Sequence, residues 1–205
     1  MSDALNRLVA IVPPPPYPVD CGGAGAFKTF EDQLGLSLPA DYKQYIRTYG
    51  SGAWHDGFWW IFNPFAENEH ANLIVQSQNR RPKKWSMLYA ERATRQSENG
   101  YPHAIYPEPG GILAWARTIN GGKFFWETKG RPSSWKTVYY PSRDPDYVVH
   151  DLRCVEILLG VVTGQLPLFA EPFSDHEIDH GTPYDFAAPN AFVPMKPKRK
   201  RGAIR

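Results

Sequence analysis

A short segment late in the chain carries the residue types best suited to chemistry. His176-Glu177-Ile178-Asp179-His180 matches the H-E-x-x-H pattern, in which two histidines one helical turn apart hold zinc and the glutamate activates a bound water. The surrounding residues argue against a zinc site. The segment is confined between Pro172 and Gly181, which leaves too short a stretch for a helix that is stable alone, and Asp179 stands where such helices bury an apolar residue. A polar surface turn is favoured, and a zinc-dependent hydrolase is kept as the alternative.

Other arrangements typical of enzymes do not occur in the sequence. There is no serine nucleophile elbow, and the glycines of Gly22–Gly25 follow prolines instead of a strand, unlike those of a phosphate-binding loop. The basic stretch Arg80–Lys84 has only Trp85 as an aromatic neighbour, so a solvated loop explains it better than a single-strand nucleic-acid platform. We expect no catalytic residue, no cofactor and no bound metal.

The element expected to position binding residues is a β-hairpin within Gly110–Trp135. Two runs rich in β-branched and aromatic residues flank Asn120-Gly121-Gly122, a turn signal that pairs Trp115 with Trp126 if the turn has two residues. Side chains alternate between the faces of a strand. One face, expected to be buried, carries Leu113, Trp115, Ile119, Phe124 and Trp126. The other face, expected to be more open, carries Ala114, Ala116, Thr118, Lys123, Phe125 and Glu127.

Patterns in the rest of the chain predict further helices and strands, and the helices are partly separated from the strands along the sequence. Helices are expected at 3–12, at 27–34 with Gly35 as a left-handed cap, between Pro39 and Gly50, at 84–96 and from 152 to near Gly164, and further strands at 57–62 and 135–140. This pattern predicts an α+β fold, an antiparallel sheet with a central meander, flanked by helices on one face, with an irregular C-terminal extension. The expected parts are a domain at 1–165, an extension at 166–194 packed on it, and a basic disordered tail at 195–205.

Composition and charge limit the class of protein. The chain of 205 residues is long enough for one core, and no apolar run approaches the roughly 20 residues that cross a bilayer. Cys21 and Cys154 lie far apart, and no signal segment precedes them, so a reduced, cytoplasmic protein is expected. The net charge of the chain is +2, and six of its positive charges lie between Lys196 and Arg205. The rest of the chain is therefore mildly acidic. Such a tail could touch nucleic acid, but a solvated end is favoured.

Several motifs in the same order resemble those of the SUKH superfamily. They are the pattern E-x-x-L-G-x-x-L-P-x-D-Y-x-x-Y at Glu31–Tyr45, the sequence Tyr-Gly-Ser-Gly at 49–52, the entry Gly-Gly-Ile-Leu-Ala-Trp at 110–115, the N-G-G-x-x-F-W-x-T hairpin at 120–128, and a closing helix that ends at Gly164. The superfamily contains bacterial toxin-immunity proteins and fungal cell-wall assembly regulators of the Smi/Knr type. The resemblance covers about residues 1–165 and departs at Ala114-Trp115-Ala116, where members often have Pro-Trp-Gly. The segment beyond Pro167 lies outside it.

The resemblance implies a non-enzymatic binding module. Most bacterial members are thought to bind and neutralise a secreted toxin, often a nuclease, and the family supplies no catalytic residues. We therefore expect an immunity protein with a toxin as its partner, and a scaffold or regulator without a toxin as a further alternative. The residues expected to contact the partner lie on the open sheet face and its adjacent loops: Trp54, His55, Asp56, Trp59, Phe125 and Glu127.

Overall fold

An antiparallel sheet is the centre of the protein in the computed structural model, which describes residues 2–55, 57–78, 103–141, 147–166 and 192–196. The seven strands that these residues form lie in the order β6-β5-β4-β3-β2-β1-β7. They are β1 (Gly52–Trp54), β2 (Trp59–Ile61), β3 (Ile112–Thr118), β4 (Lys123–Glu127), β5 (Thr137–Tyr140), β6 (Val148–His150) and β7 (Phe192–Pro194). The described helices are α1 (Asp3–Ile11), α2 (Ala26–Leu34), α3 (Ala40–Tyr49), α4 (Leu73–Gln78) and α5 (Cys154–Val162). The predicted α+β fold with a central β3–β4–β5 meander is confirmed.

Several predicted elements lie outside the described residues. They are the helix at 84–96, the basic stretch Arg80–Lys84, the zinc-type motif at His176–His180, most of the extension and all of the tail beyond Lys196. Within the described part of the chain, no helix is long and apolar enough to cross a membrane.

The first three helices form where the apolar spacing predicts them. The hydroxyl of Ser2 accepts a hydrogen bond from the backbone N–H of Leu5 at 3.3 Å and caps α1. The helix α2 ends at Gly35, which adopts the predicted left-handed conformation. The helix α3 buries Tyr42 against the sheet, where its ring lies 4.9 Å from that of Trp126 in an edge-to-face arrangement. The tyrosine stripe of α3 therefore joins the helix layer to the sheet.

The sequence Tyr49-Gly50-Ser51-Gly52 connects α3 to β1 by close packing. Gly50 has a φ of +68°, and a side chain there would bring its Cβ within 2.0 Å of the carbonyl oxygen of Val19. The hydroxyl of Tyr49 donates to the carbonyl oxygen of Val12 at 2.6 Å. The N-terminal connector therefore packs closely under this turn. Val19 can approach because position 50 has no side chain, and the hydroxyl of Tyr49 is bonded to the backbone of Val12.

The register of the central hairpin differs from the predicted one. Leu113, not Trp115, faces Trp126, and a β-bulge lies between the pairs formed by Ala114 and Ala116. Trp115 is the extra residue in β3, between the pair Ala114–Phe125 and the pair Ala116–Phe124.

The bulge reverses the predicted faces for the second half of β3. Ala116 and Thr118 are buried on the helix side, at 0% and 3% exposure, although alternation predicted the open side. Ile119, predicted to be buried, is 64% exposed in the turn. Strict alternation was wrong here because it fails beyond an inserted residue.

The helix α5 begins beside a buried carboxylate of α3. One carboxylate oxygen of Asp41 accepts from the backbone N–H of Val155 at 3.4 Å and lies 3.5 Å from the thiol of Cys154. A negative charge at a helix N-terminus is favourable because it faces the unpaired N–H groups there. Asp41 therefore links α3 to α5 across 114 residues of sequence.

Candidate protein-binding surface

The two faces of the sheet have different side chains. The core face is covered by helices and carries Trp59, Leu113, Trp115, Phe124 and Trp126, all between 0% and 1% exposed. The second face is the opposite one. Its members, grouped by cross-strand pairing, are Trp60, Arg117, Lys123 and Tyr140 in one row, Ala114, Phe125, Val138 and Val149 in the next, and Ile112 with Glu127 in the last.

The strand β4 presents a stripe of three half-buried side chains on the second face. Lys123, Phe125 and Glu127 alternate with the buried Phe124 and Trp126. Neighbours on one face of a strand are about 6.8 Å apart, so the stripe places an aromatic ring between a cation and an anion. We call these three residues the β4 stripe. The ring of Phe125 packs edge to face against the ring of Tyr140, with 5.6 Å between the centroids and 85° between the planes.

The hairpin end of the second face is cationic. Arg117 and Lys123 are cross-strand partners, so two positive side chains lie side by side. Burial, and secondly the charge of Arg117, lowers the pKa of Lys123 below its usual value. The Nε atom of Arg117 is buried and has no hydrogen-bond partner within the described ranges.

The other end of the β4 stripe is a polar and aromatic cluster. Glu127 forms an ion pair with Lys129 at 2.6 Å, and the two side chains are 18% and 70% exposed. The Nδ1 atom of His103 lies 2.7 Å from the hydroxyl of Tyr140, and its ring lies 4.7 Å from that of Tyr147. Burial is the main cause that lowers the pKa of His103, while Glu127 opposes it and Lys129 adds to it. The imidazole is therefore neutral at pH 7.

The residues predicted to contact a partner fall into three groups. Phe125 and Glu127 are brought together on the second face, within the β4 stripe. Trp54 and Trp59 face the core, at 2% and 1% exposure, because their strands bury that side.

The third group lies in the turn between β1 and β2. His55 is half-buried there with a φ of +56°, and its carbonyl oxygen accepts from the N–H of Phe58 at 2.9 Å. Asp56 lies outside the described residues.

Arg117 and Trp60 were missed as candidates. Arg117 belongs by alternation to the face of Trp115, and only the bulge moves it to the second face. Trp60 stands in a run of aromatic residues whose alternation does not indicate which face is open. A signal for Trp60 was nevertheless present, since it alternates with Trp59 and one of the two must face away from the core.

The described thiols are not activated. Burial, with the charge of Asp41 as a second cause, raises the pKa of Cys154 well above its usual value. Burial and Asp20 likewise raise the pKa of Cys21. A raised pKa keeps a thiol protonated and unreactive. Across the described ranges, no group of three or more His, Cys, Asp or Glu residues could hold a metal ion.

Residues 25–151 match a protein-family model named SUKH_6 and described as SMI1-KNR4 cell-wall. The matched range runs from the residue before α2 to the end of β6, so it includes both faces of the sheet and the whole β4 stripe. The strand β7 and the helices α1 and α5 lie outside it. No curated protein and no solved structure matches the chain significantly.

Proposed function

Because the chain belongs to the SUKH superfamily, in the family described as SMI1-KNR4 cell-wall, we propose that it is a non-enzymatic module that binds a partner protein. The proposed partner is a bacterial toxin, which the chain neutralises in the cytoplasm by covering the toxin surface. The contact is between proteins, with no role for a membrane and none for nucleic acid except through the basic tail Lys196–Arg205.

The β4 stripe is the single observation that carries this proposal. Aromatic side chains that are partly buried in the free protein and become fully buried in a complex supply much of the binding energy of protein interfaces. Phe125 has this position, with Tyr140 fixing the plane of its ring. The opposite charges of Lys123 and Glu127 on either side would orient a partner, because only one direction of approach places unlike charges together.

The charges on the second face define the chemistry of the partner. The positive side chains of Arg117 and Lys123 lie at one end of this face, and the carboxylate of Glu127, paired with Lys129, lies at the other. A specific complex of this kind buries on the order of 1,600 Å² of surface in total. The interface would therefore be larger than the β4 stripe and would include its neighbours on the second face. A toxin surface that carries an acidic and a basic residue on either side of an apolar pocket would be complementary to this face.

The proposal is tested by measuring the affinity for the candidate partner. The product of the adjacent gene is copurified with the chain, and binding is measured by calorimetry for the wild type, Phe125→Ala and Glu127→Arg. We expect Phe125→Ala to weaken binding by about 30-fold, as for a central aromatic anchor, and Glu127→Arg by about 10-fold.

The control for Glu127→Arg is Asp32→Arg in α2. Both carboxylates pair with a lysine, Glu127 with Lys129 and Asp32 with Lys28 at 2.8 Å, so both variants reverse a lysine-paired charge. Asp32 lies in the helix layer, and its reversal should leave the affinity unchanged. Equal affinities for Glu127→Arg and Asp32→Arg, with Phe125→Ala also unaffected, would remove the second face from the proposal.

A regulator without a toxin is a second candidate, which the words cell-wall in the family description favour. The same surface would then bind a protein of the cell's own. A pulldown from the native cell distinguishes the two, since a regulator recovers a host protein through Phe125 whether or not a toxin is encoded nearby. Metal analysis of the wild type and His176→Ala tests the zinc hydrolase separately, because stoichiometric zinc that is lost on substitution would support that enzyme.

A further inference from the structure

The last described strand, β7, covers an edge of the sheet that would otherwise be open. It pairs antiparallel with β1, with Phe192 opposite Trp54 and Pro194 opposite Gly52. The backbone N–H of Met195 extends the pairing by donating to the carbonyl oxygen of Ser51 at 2.8 Å. A strand edge with unpaired N–H and C=O groups readily accepts a further strand, and β7 occupies this position.

Phe192 enters an aromatic pocket at this edge. Its ring centroid lies 5.1 Å from that of Tyr49 and 5.2 Å from that of Trp54. The floor of the pocket is Gly52, where an added Cβ would lie 2.2 Å from the ring of Phe192. The pocket therefore exists because position 52 has no side chain, and its lining selects a flat aromatic ring.

Among the residues that the structure describes, the strand β7 makes few contacts. Phe192 is 8% exposed, but Val193 is 44% exposed and Pro194 is also exposed, so one side chain of the strand is buried. The other contacts are main-chain hydrogen bonds over three paired residues. One buried ring and a few main-chain bonds form a weak attachment, which a competing strand can replace.

The pocket and its occupant belong to different parts of the chain. Tyr49, Gly52 and Trp54 lie within residues 25–151, the range that matches the family, whereas Phe192 lies outside it. The site is therefore complete within the family domain, and β7 is an addition from outside that domain which fills it.

We propose that the β1 edge is a docking site for an extended segment of another protein that carries an aromatic residue, and that β7 is its resident competitor. Strand addition to a sheet edge is a general mode of peptide recognition, in which main-chain bonds give affinity and side-chain pockets give specificity. The arriving strand pairs with β1, its aromatic ring replaces Phe192, and β7 is released. The site is at an edge of the sheet, so it is distinct from the second face and does not depend on the function proposed for that face.

The test uses the full chain and a labelled peptide that copies residues 190–196, Asn-Ala-Phe-Val-Pro-Met-Lys. Fluorescence anisotropy measures its affinity for the wild type and for Phe192→Ala. A tethered competitor acts at an effective concentration of about millimolar, so we expect the variant, which has lost its resident ring, to bind the peptide at least 10-fold more tightly than the wild type. Equal affinity for the two proteins, or no binding to either, would overturn the proposal.

Two controls locate the bound peptide. A peptide with alanine in place of phenylalanine should not bind Phe192→Ala, because the pocket would remain empty. The double variant Gly52→Ala with Phe192→Ala fills the vacated pocket with a Cβ and should also lose the peptide, with its fold checked by circular dichroism. Peptide binding that survives in the double variant would place the peptide elsewhere. A dimer of the wild type, seen by light scattering and lost in Phe192→Ala, would assign the site to a second copy of this chain and overturn the proposal.

Discussion

Trp126 and Phe125 are consecutive residues of β4, and they lie in contrasting environments. Trp126 is 1% exposed and has three aromatic neighbours, Tyr42 at 4.9 Å and Trp115 and Trp135 at 6.0 Å. Phe125 is half-buried on the other side of the same strand. The difference teaches that aromatic content alone does not define a binding surface, because one strand supplies both the core and the surface that we propose for recognition.

The largest expected effect separates the two faces. Trp126→Ala should lower the free energy of unfolding by about 3–5 kcal/mol, since it leaves a large cavity among rings that hold α3 on the sheet. Phe125→Ala should lower it by less, about 2 kcal/mol, because its ring packs on Ile112, Val138 and Tyr140 but is only partly buried. Chemical denaturation of both variants measures this. Similar losses for the two variants would show that the second face is as important to stability as the core face.

The next effect concerns the carboxylate within the helix layer. Asp41→Ala should lower the free energy of unfolding by about 1–2 kcal/mol, because it removes the acceptor at the N-terminus of α5. Asp32→Ala is the matched control, since Asp32 pairs with Lys28 on the surface and should contribute about 0.3–0.5 kcal/mol. Thermal unfolding of the two variants gives the comparison, and an equal cost would mean that Asp41 does not stabilise α5.

A smaller effect is expected from pH. Burial lowers the pKa values of both His103, on the second face, and His150, on the core-face side of β6. The unfolded chain binds protons more readily than the folded one, so stability is lost as pH falls through the ordinary histidine range near 6.5.

Urea denaturation at pH 7.5 and 5.5 measures this loss of stability. His103→Gln and His150→Gln should each reduce it. The ion pair between Glu156 and Arg153 does not contribute in this range. The hydrogen bond with Arg153 is the chief cause that lowers the pKa of Glu156, so this pair is lost only below about pH 4.5. A pH dependence that neither histidine variant alters would have another origin.

The smallest effect is expected from the exposed ion pairs on the two sides of the protein. Lys129→Ala on the side of the second face and Lys28→Ala in the helix layer should each change the free energy of unfolding by less than about 1 kcal/mol, because both lysines are mostly exposed and solvent screens the pairs. Denaturation at low and high salt is the measurement. A large, salt-dependent loss from Lys129→Ala alone would show that the ion pair of Glu127 contributes to folding.

The sequence predicted the parts of the fold that depend on local pattern. The helices α1 to α3 follow from apolar residues at helical spacing, and the central hairpin follows from its turn residues. The strands β1, β6 and β7 were missed because each has three residues and is defined by its partner in the sheet. The bulge at Trp115 was missed because no Gly, Pro or polar residue marks it.

The candidate site was predicted less completely, for a related reason. The bulge lies in β3, and β4 alternates without interruption, so alternation places Phe125 and Glu127 correctly on the second face. Arg117 lies beyond the bulge, so alternation gives it the wrong face. Trp54 and Trp59 were expected to contact a partner, but each is buried by residues distant in sequence. Tyr45 and Phe192 pack against Trp54, and Trp115 and Phe124 pack against Trp59.

The strand β1 is synthesised well before β7, the strand that pairs with its edge. Trp54 and Phe192 are 138 residues apart, and a ribosome adds about 5–20 residues per second, so β1 exists for on the order of 10 s before its covering strand has been made. Once β1 has paired with β2, and until β7 is made, the nascent domain would present an uncovered strand and an empty aromatic pocket. A chaperone or a partner that acts on the nascent chain would find the edge vacant, whereas one that meets the finished protein must displace β7.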